Sequence, residues 1–218
     1  MHNTTILFDL DGTLIDSTDA IIESFDVVFK QLGLNECNHN KAKSLIGYTL
    51  EDIFLKLGLK KELVPDAICK YKVHYRKISL SQTSLLPYAK EAIQNANSFA
   101  KIGIVTTKMA KYITPLLESL QIQDFFQKDI NIIGFDNVTH PKPHSEPILK
   151  AIDMLNADLN NTWMIGDTKL DTQSAYNAKI KSVGVLCGYG NEQEMRKYTD
   201  FICHNSKEAV SFIKKFKK

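Results

Sequence analysis

Three features of the sequence predict an α/β fold, a doubly wound parallel sheet interrupted by an inserted all-α lobe. Short apolar runs alternate with helix-period segments over most of the 218 residues. The apolar runs lack the in-out alternation of a half-solvated sheet, which suits parallel strands covered on both faces. One stretch, from about residue 17 to 80, breaks the alternation and reads as helices alone.

The predicted strands are "TTILF" (4–8), "AKIGIVT" (100–106), "INIIGF" (130–135), "TWMIGD" (162–167), "KSVGVL" (181–186) and "DFICH" (200–204). Between them lie amphipathic segments such as "PYAKEAIQNANSF", "AKYITPLLESL" and "SEPILKAIDMLN". Strand, helix and strand repeated in this order argue for a doubly wound sheet. In the inserted lobe, "STDAIIESFDVVFKQLGL" has helical apolar spacing, polar residues at its start and Gly33 at its end. "TLEDIFLKLG" repeats the logic, with Thr49 as N-cap, acids in the first turn and Gly58 as the stop. "PDAICKYKVHYRKI" supplies a third helix, with Pro65 in its first turn.

Composition narrows the function classes. Hydrophobic residues make up 44% and charged residues 24%, which is ordinary for a soluble enzyme. A net charge of +2 gives no global reason to expect a nucleic-acid or membrane partner. The basic tail "KKFKK" (214–218) reads as a solvated helix end, where cations oppose the helix dipole. Cysteines 37, 69, 187 and 203 form no metal-like or disulfide-like spacing, so reduced thiols in a cytoplasmic protein are expected. No signal peptide and no run of the ~20 apolar residues needed to span a membrane is expected.

The chemistry concentrates at strand ends. In open α/β sheets ligands bind beyond the carboxyl ends of the strands. "ILFDLDGTLIDS" places Asp9 and Asp11 at such an end, followed by Gly12 and Thr13. Two carboxylates so close repel, and a bound Mg²⁺ is the simplest compensation, because it takes oxygen ligands and bridges carboxylates to phosphate. One carboxylate is then free to attack phosphorus and the other to move a proton. Gly12 permits a tight backbone approach to the phosphate. An EF-hand reading fails, because glycine falls at the fourth rather than the sixth position and Ala20 stands at the twelfth.

Three further strand ends complete a set. After "KIGIV" come Thr106, Thr107 and Lys108, whose hydroxyls and backbone amides can bind a phosphate oxygen or cap a helix. "HPKPHSEP" (140–147) fixes Lys142 between two prolines, from where it can neutralise a phosphoryl group or a carboxylate pair. "MIGDTKLD" carries Asp167 and Asp171 one helical turn apart, so that both can face a metal. Helix caps account for any one of these residues but do not predict the whole set.

These motifs resemble the haloacid dehalogenase-like hydrolase superfamily. "DLDGT" looks like its first motif, Thr106 its second, Lys142 its third and "GDTKLD" its fourth, in order and along the whole chain. The resemblance implies a Rossmann-like core, Mg²⁺, a nucleophile at Asp9 and a general acid/base at Asp11. Asp9, the Asp11 backbone carbonyl and Asp167 would hold the metal with Asp171 in support. Thr106 and Lys142 would orient the phosphoryl group, and Gly12, Thr13 and Thr107 complete the expected substrate contacts. It also implies a core of residues 1–15 and 82–218 and a helical cap at 16–81.

Within the superfamily the resemblance narrows to the branch of phosphoglycolate phosphatases, β-phosphoglucomutases and a bacterial pyrophosphatase. Thr13 is typical of the phosphatases, and Leu50 stands where sugar-phosphate members often carry arginine. Thr107 replaces a common asparagine, and Ser145 a common proline. The implied activity is hydrolysis of a small phosphomonoester of phosphoglycolate type, by a monomer or homodimer. A pyrophosphatase, a nucleotidase, a sugar-phosphate phosphatase or mutase, and a non-catalytic relative are the alternatives. Lys43, Tyr48, His74 and Arg76 are candidate substrate contacts in the cap.

Overall fold

The computed structural model describes residues 3–126 and 131–216. The chain divides into two compact units, Met1–Asp16 with Leu85–Lys218, and Ser17–Ser84. The strands, in chain order, are β1 (Thr4–Phe8), β2 (Ile15–Asp16), β3 (Ser84–Leu85), β4 (Ala100–Val105), β5 (Ile132–Ile133), β6 (Thr162–Gly166), β7 (Lys181–Val185) and β8 (Ile202–Cys203). Six of them form one sheet in the order β5-β4-β1-β6-β7-β8. Every pairing in it is parallel. The order reverses at β1, so the carboxyl ends of β4, β1 and β6 flank the switch point where doubly wound sheets bind ligands.

The helices are α1 (Thr18–Gln31), α2 (His39–Ser44), α3 (Leu50–Leu57), α4 (Val64–Ile78), α5 (Ala89–Asn97), α6 (Ile113–Ser119), α7 (Glu146–Met154), α8 (Lys169–Asn177), α9 (Glu192–Met195) and α10 (Ser206–Phe216). Both faces of the sheet are covered, which is why its strands read as unbroken apolar runs. Ile6, Phe8, Ile102, Ile104, Trp163 and Ile165 share one buried cluster with residues of α5, α6 and α10. Leu7, Val105, Ile133 and Met164 point the other way, with Ile148 and Ala151 of α7 and Ala175 of α8. The period of two sends alternate residues to opposite layers.

Ser17–Ser84 is helical, with α1 to α4 inside it. Thr49 caps α3 by accepting the Asp52 amide, and Gly58 ends it in the left-handed region at φ 99°. Phe25, Phe54 and Tyr71 form its aromatic centre, with ring centroids 4.9–6.2 Å apart. His74 is held there by Ser24 at 3.2 Å and Glu23 at 3.5 Å, while Tyr48 lies under the Lys56 ammonium at 5.3 Å. Lys43 and Arg76 are exposed.

Several boundaries differ from the sequence expectation. The run 130–135 pairs only at Ile132–Ile133, and Ile130 lies outside the described residues. The run 200–204 shortens to Ile202–Cys203, because only two residues at this edge find partners on β7. The helix expected over 110–120 opens as a 3₁₀ turn at Ala110–Tyr112 before α6. Helix α2, with Asn38 as its cap, had no apolar period long enough to reveal it. The last two residues of the basic tail lie outside the described residues.

Candidate active site

Sheet register brings the strand ends together. Phe8 pairs with both Ile104 and Ile165, so Asp9 is the first residue past the point where β1 is flanked on both sides. Its backbone amide still donates to Ile165 O at 2.8 Å, which fixes the main chain under the carboxylate. Thr106 N likewise donates to Ile133 O at 2.9 Å, so Thr106 leaves β4 from a pinned position.

Lys142 joins the carboxylates. Its Nζ donates to Asp9 Oδ1 at 2.6 Å, Asp171 Oδ1 at 2.5 Å and Val105 O at 3.1 Å. All three charged side chains are at least 95% buried. Burial alone would lower the lysine pKa, but the charges of Asp171 and Asp9 more than offset it, so the ammonium is held above its ordinary range. Burial raises Asp9 to about 7, with Lys142 opposing and Asp171 adding to the rise. Asp167 is also raised well above the usual carboxylate range, by burial first and then by the charges of Asp9 and Asp171.

One carboxylate oxygen from each of Asp9, Asp167 and Asp171 lies within 4.8 Å of the other two. This buried, oxygen-only donor set fits a hard divalent cation, which would relieve the desolvation and repulsion that one lysine only partly offsets. The three residues are engaged differently. Asp167 accepts Thr13 Oγ1 at 3.1 Å and Tyr189 N at 2.7 Å, one bond on each oxygen. Asp171 gives Oδ1 to Lys142 and Oδ2 to the amide and hydroxyl of Thr168, closing a capping box at the start of α8. Its role as a cap and its place in the cluster are therefore the same geometry.

Glycines make room for Asp167. A Cβ on Gly12, at φ +84°, would stand 2.4 Å from Asp167 Oδ2. One on Gly188 would stand 2.1 Å from the same atom. Asp11 turns elsewhere: its Oδ2 pairs with Lys108 Nζ at 3.2 Å, and both side chains are about nine-tenths buried. Lys108 N also donates to Thr106 Oγ1 at 3.2 Å, so the segment after β4 presents its lysine to the acid at the end of β1. Cys187 Sγ approaches Gly12 O at 3.4 Å, and burial, with the Asp167 charge, pushes the thiol up to about 11.

Lys142 therefore links Asp9 to Asp171 directly, Asp167 with its Thr13 bond stands within 4.8 Å of both, and Asp11 and Thr106 are tied through Lys108. Thr107 follows on the same segment, half-buried. One expectation is corrected in its reasoning: Asp167 precedes α8, so it and Asp171 converge through a strand end and a first helical turn, not through helical spacing. Lys108 and the loop Gly188–Gly190 were missed. The segment Thr106–Lys108 offers hydroxyls and backbone amides in the sequence reading, which leaves the lysine's charge without a role, and "CGYG" carries no acid, base or ligand to mark it.

The model of the haloacid dehalogenase-like hydrolases matches residues 6–185. The chain belongs to the haloacid dehalogenase-like hydrolase family. It is 33% identical to "Pyrophosphatase PpaX" of Oceanobacillus iheyensis over 98% of both chains. It is 29% identical to "Phosphoglycolate phosphatase" of Colwellia psychrerythraea over 92% of both. The fold matches the haloacid dehalogenase-like family protein SP0104 of Streptococcus pneumoniae with a TM-score of 0.86, at 28% identity, over 96% of this chain and 97% of that one. In this haloacid dehalogenase-like hydrolase, the six-stranded parallel sheet is thus the shared framework and the strand-end cluster its candidate centre.

Proposed function

We propose that this phosphatase of the haloacid dehalogenase-like family hydrolyses a small phosphorylated metabolite with Mg²⁺, through an aspartyl-phosphate on Asp9. The observation that carries the reading is the buried Asp9 carboxylate, bonded to Lys142 and clustered with Asp167 and Asp171. Asp9, the Asp11 carbonyl and Asp167 would hold the metal, with Asp171 in support. When bound, Mg²⁺ neutralises phosphate charge and lets the carboxylates stay ionised together.

The chain's own groups supply the rest. The Lys142 ammonium opposes protonation of Asp9, so its oxygen can attack phosphorus as the bond to the leaving oxygen breaks. Asp11 delivers the proton that the leaving oxygen needs. In the second half it takes a proton from water, whose oxygen attacks the phospho-Asp9 and frees phosphate. Lys108 holds the Asp11 carboxylate in place, and Thr106 and Thr107 offer hydroxyls and amides to the phosphoryl oxygens. The helical unit Ser17–Ser84 acts as a cap that selects the leaving group.

A phosphoglycolate-like monoester is one substrate reading. Inorganic pyrophosphate is the second, favoured by the PpaX name of a relative that matches over nearly the full chain. Phosphate release from phosphoglycolate, pyrophosphate, nucleoside monophosphates and hexose phosphates, with Mg²⁺ and with chelator, tests both. One preferred, Mg²⁺-dependent substrate is expected. No release from any of them, with Mg²⁺ present, overturns the hydrolase reading.

A further inference from the structure

The loop that carries Lys142 bears a second group of ligand-type side chains, separate from the buried carboxylate cluster. His140 and His144 are exposed, with ring centroids 4.7 Å apart. Glu146 follows at the first position of α7. One ligand-capable atom from each of the three lies within 4.8 Å of the others. We propose that His140, His144 and Glu146 form a distinct cation site for a divalent ion of the zinc class.

The donor chemistry separates this site from the first. Two imidazole nitrogens and one carboxylate suit zinc, cobalt or nickel, whereas Mg²⁺ prefers oxygen alone. Backbone amides of Thr139 and His140 hold the Glu146 carboxylate in place beside the two rings. Pro141 and Pro143 stiffen the chain between the two histidines, so less order has to be imposed on binding.

These residues already staple the loop. Glu146 accepts Thr139 N at 2.8 Å, His140 N at 2.9 Å and a bond with His140 Nδ1 at 2.9 Å. His144 Nδ1 accepts Glu146 N at 3.1 Å. The staple keeps the donors within reach of one another without an ion. A metal takes the place of the proton between His140 and Glu146, which moves to Nε2 or to solvent, and competes with the longer His144 bond. Because Lys142 lies inside the stapled segment, an ion there locks the loop that presents it.

The test is a Co²⁺ titration of the full chain at saturating Mg²⁺, read by visible absorption. One equivalent with nitrogen-ligand bands is expected, lost in H140Q and in H144Q and kept in D167N. Proton NMR of the wild-type imidazoles provides a readout that needs no variant: zinc should shift two of the six histidines. Absence of a histidine-dependent equivalent, or bands that survive both histidine variants, overturns the proposal.

Discussion

Asp9 is asked to be a nucleophile while buried among two other carboxylates, so its ionisation decides whether the site works. Its folded pKa of about 7 stands above the ordinary 3.8. The native protein therefore holds a proton between those values that the unfolded chain has released, and metal-free stability declines as pH rises through this window. Below about pH 7 a metal must displace that proton. Apparent Mg²⁺ affinity should strengthen about tenfold per pH unit up to about 7 and then level, more steeply where Asp167 also releases a proton. Calorimetric titrations from pH 5.5 to 8.5 check this, and a flat affinity would mean that Asp9 is already ionised. Asp9→Asn should fold normally and lose nearly all turnover, a drop of at least about 10³-fold. Wild-type activity in that variant rules out the covalent route. Asp9 and Asp167 were legible in the sequence because each ends an apolar run, and Asp11 and Asp171 because they follow those two within four residues. Lys108 was not, because its partner Asp11 is remote in sequence and only the β1–β4 pairing brings them together.

At the scale of elements, the loop after β7 does for Asp167 what a ligand sequence could not announce. Tyr189 contributes a backbone amide, and Gly188 contributes the absence of a side chain. Gly188→Ala would drive a Cβ into Asp167 Oδ2 and, at 2.5 Å, into Gly12 O. The expected result is about 1–3 kcal/mol of destabilisation, with Mg²⁺ affinity weakened at least tenfold. Gly33→Ala supplies the contrast. It meets nothing within 4 Å but sits at φ +65°, so it should cost about 1–2 kcal/mol and leave Mg²⁺ affinity unchanged. Equal losses of affinity in the two would show that Gly188 does not shape the site. The sheet itself was readable from period and burial: β1, β4, β6 and β7 are long enough for burial on both faces to leave an apolar signature. β2 and β3 are two residues each, and α2 is six. Such elements are made by their neighbours rather than by their own pattern.

At the scale of the whole chain, the sheet unit is discontinuous and the helical unit is a single insertion. Among the described residues, both buried clusters of the sheet draw on Met1–Asp16 and Leu85–Lys218 alone. The insertion's aromatic centre draws only on its own helices. Where the insertion leaves and rejoins, Leu86 N donates to Leu14 O at 3.0 Å, so the two segments of the sheet unit are already adjacent there. A chain in which a short glycine turn replaces residues 17–84 should therefore keep its parallel sheet and bind Mg²⁺ as the parent does. It should still hydrolyse an activated aryl phosphate, because no residue of the Asp9–Lys142–Asp167–Asp171 cluster is removed. Its preference among natural phosphate esters and pyrophosphate should collapse, since the proposed selector is gone. The measurements are Mg²⁺ titration followed by kcat/KM on the aryl ester and on the preferred substrate. Loss of Mg²⁺ binding would show that the sheet unit does not stand alone. Retention of the full substrate preference would place selectivity in the strand-end loops and end the cap proposal for residues 17–84.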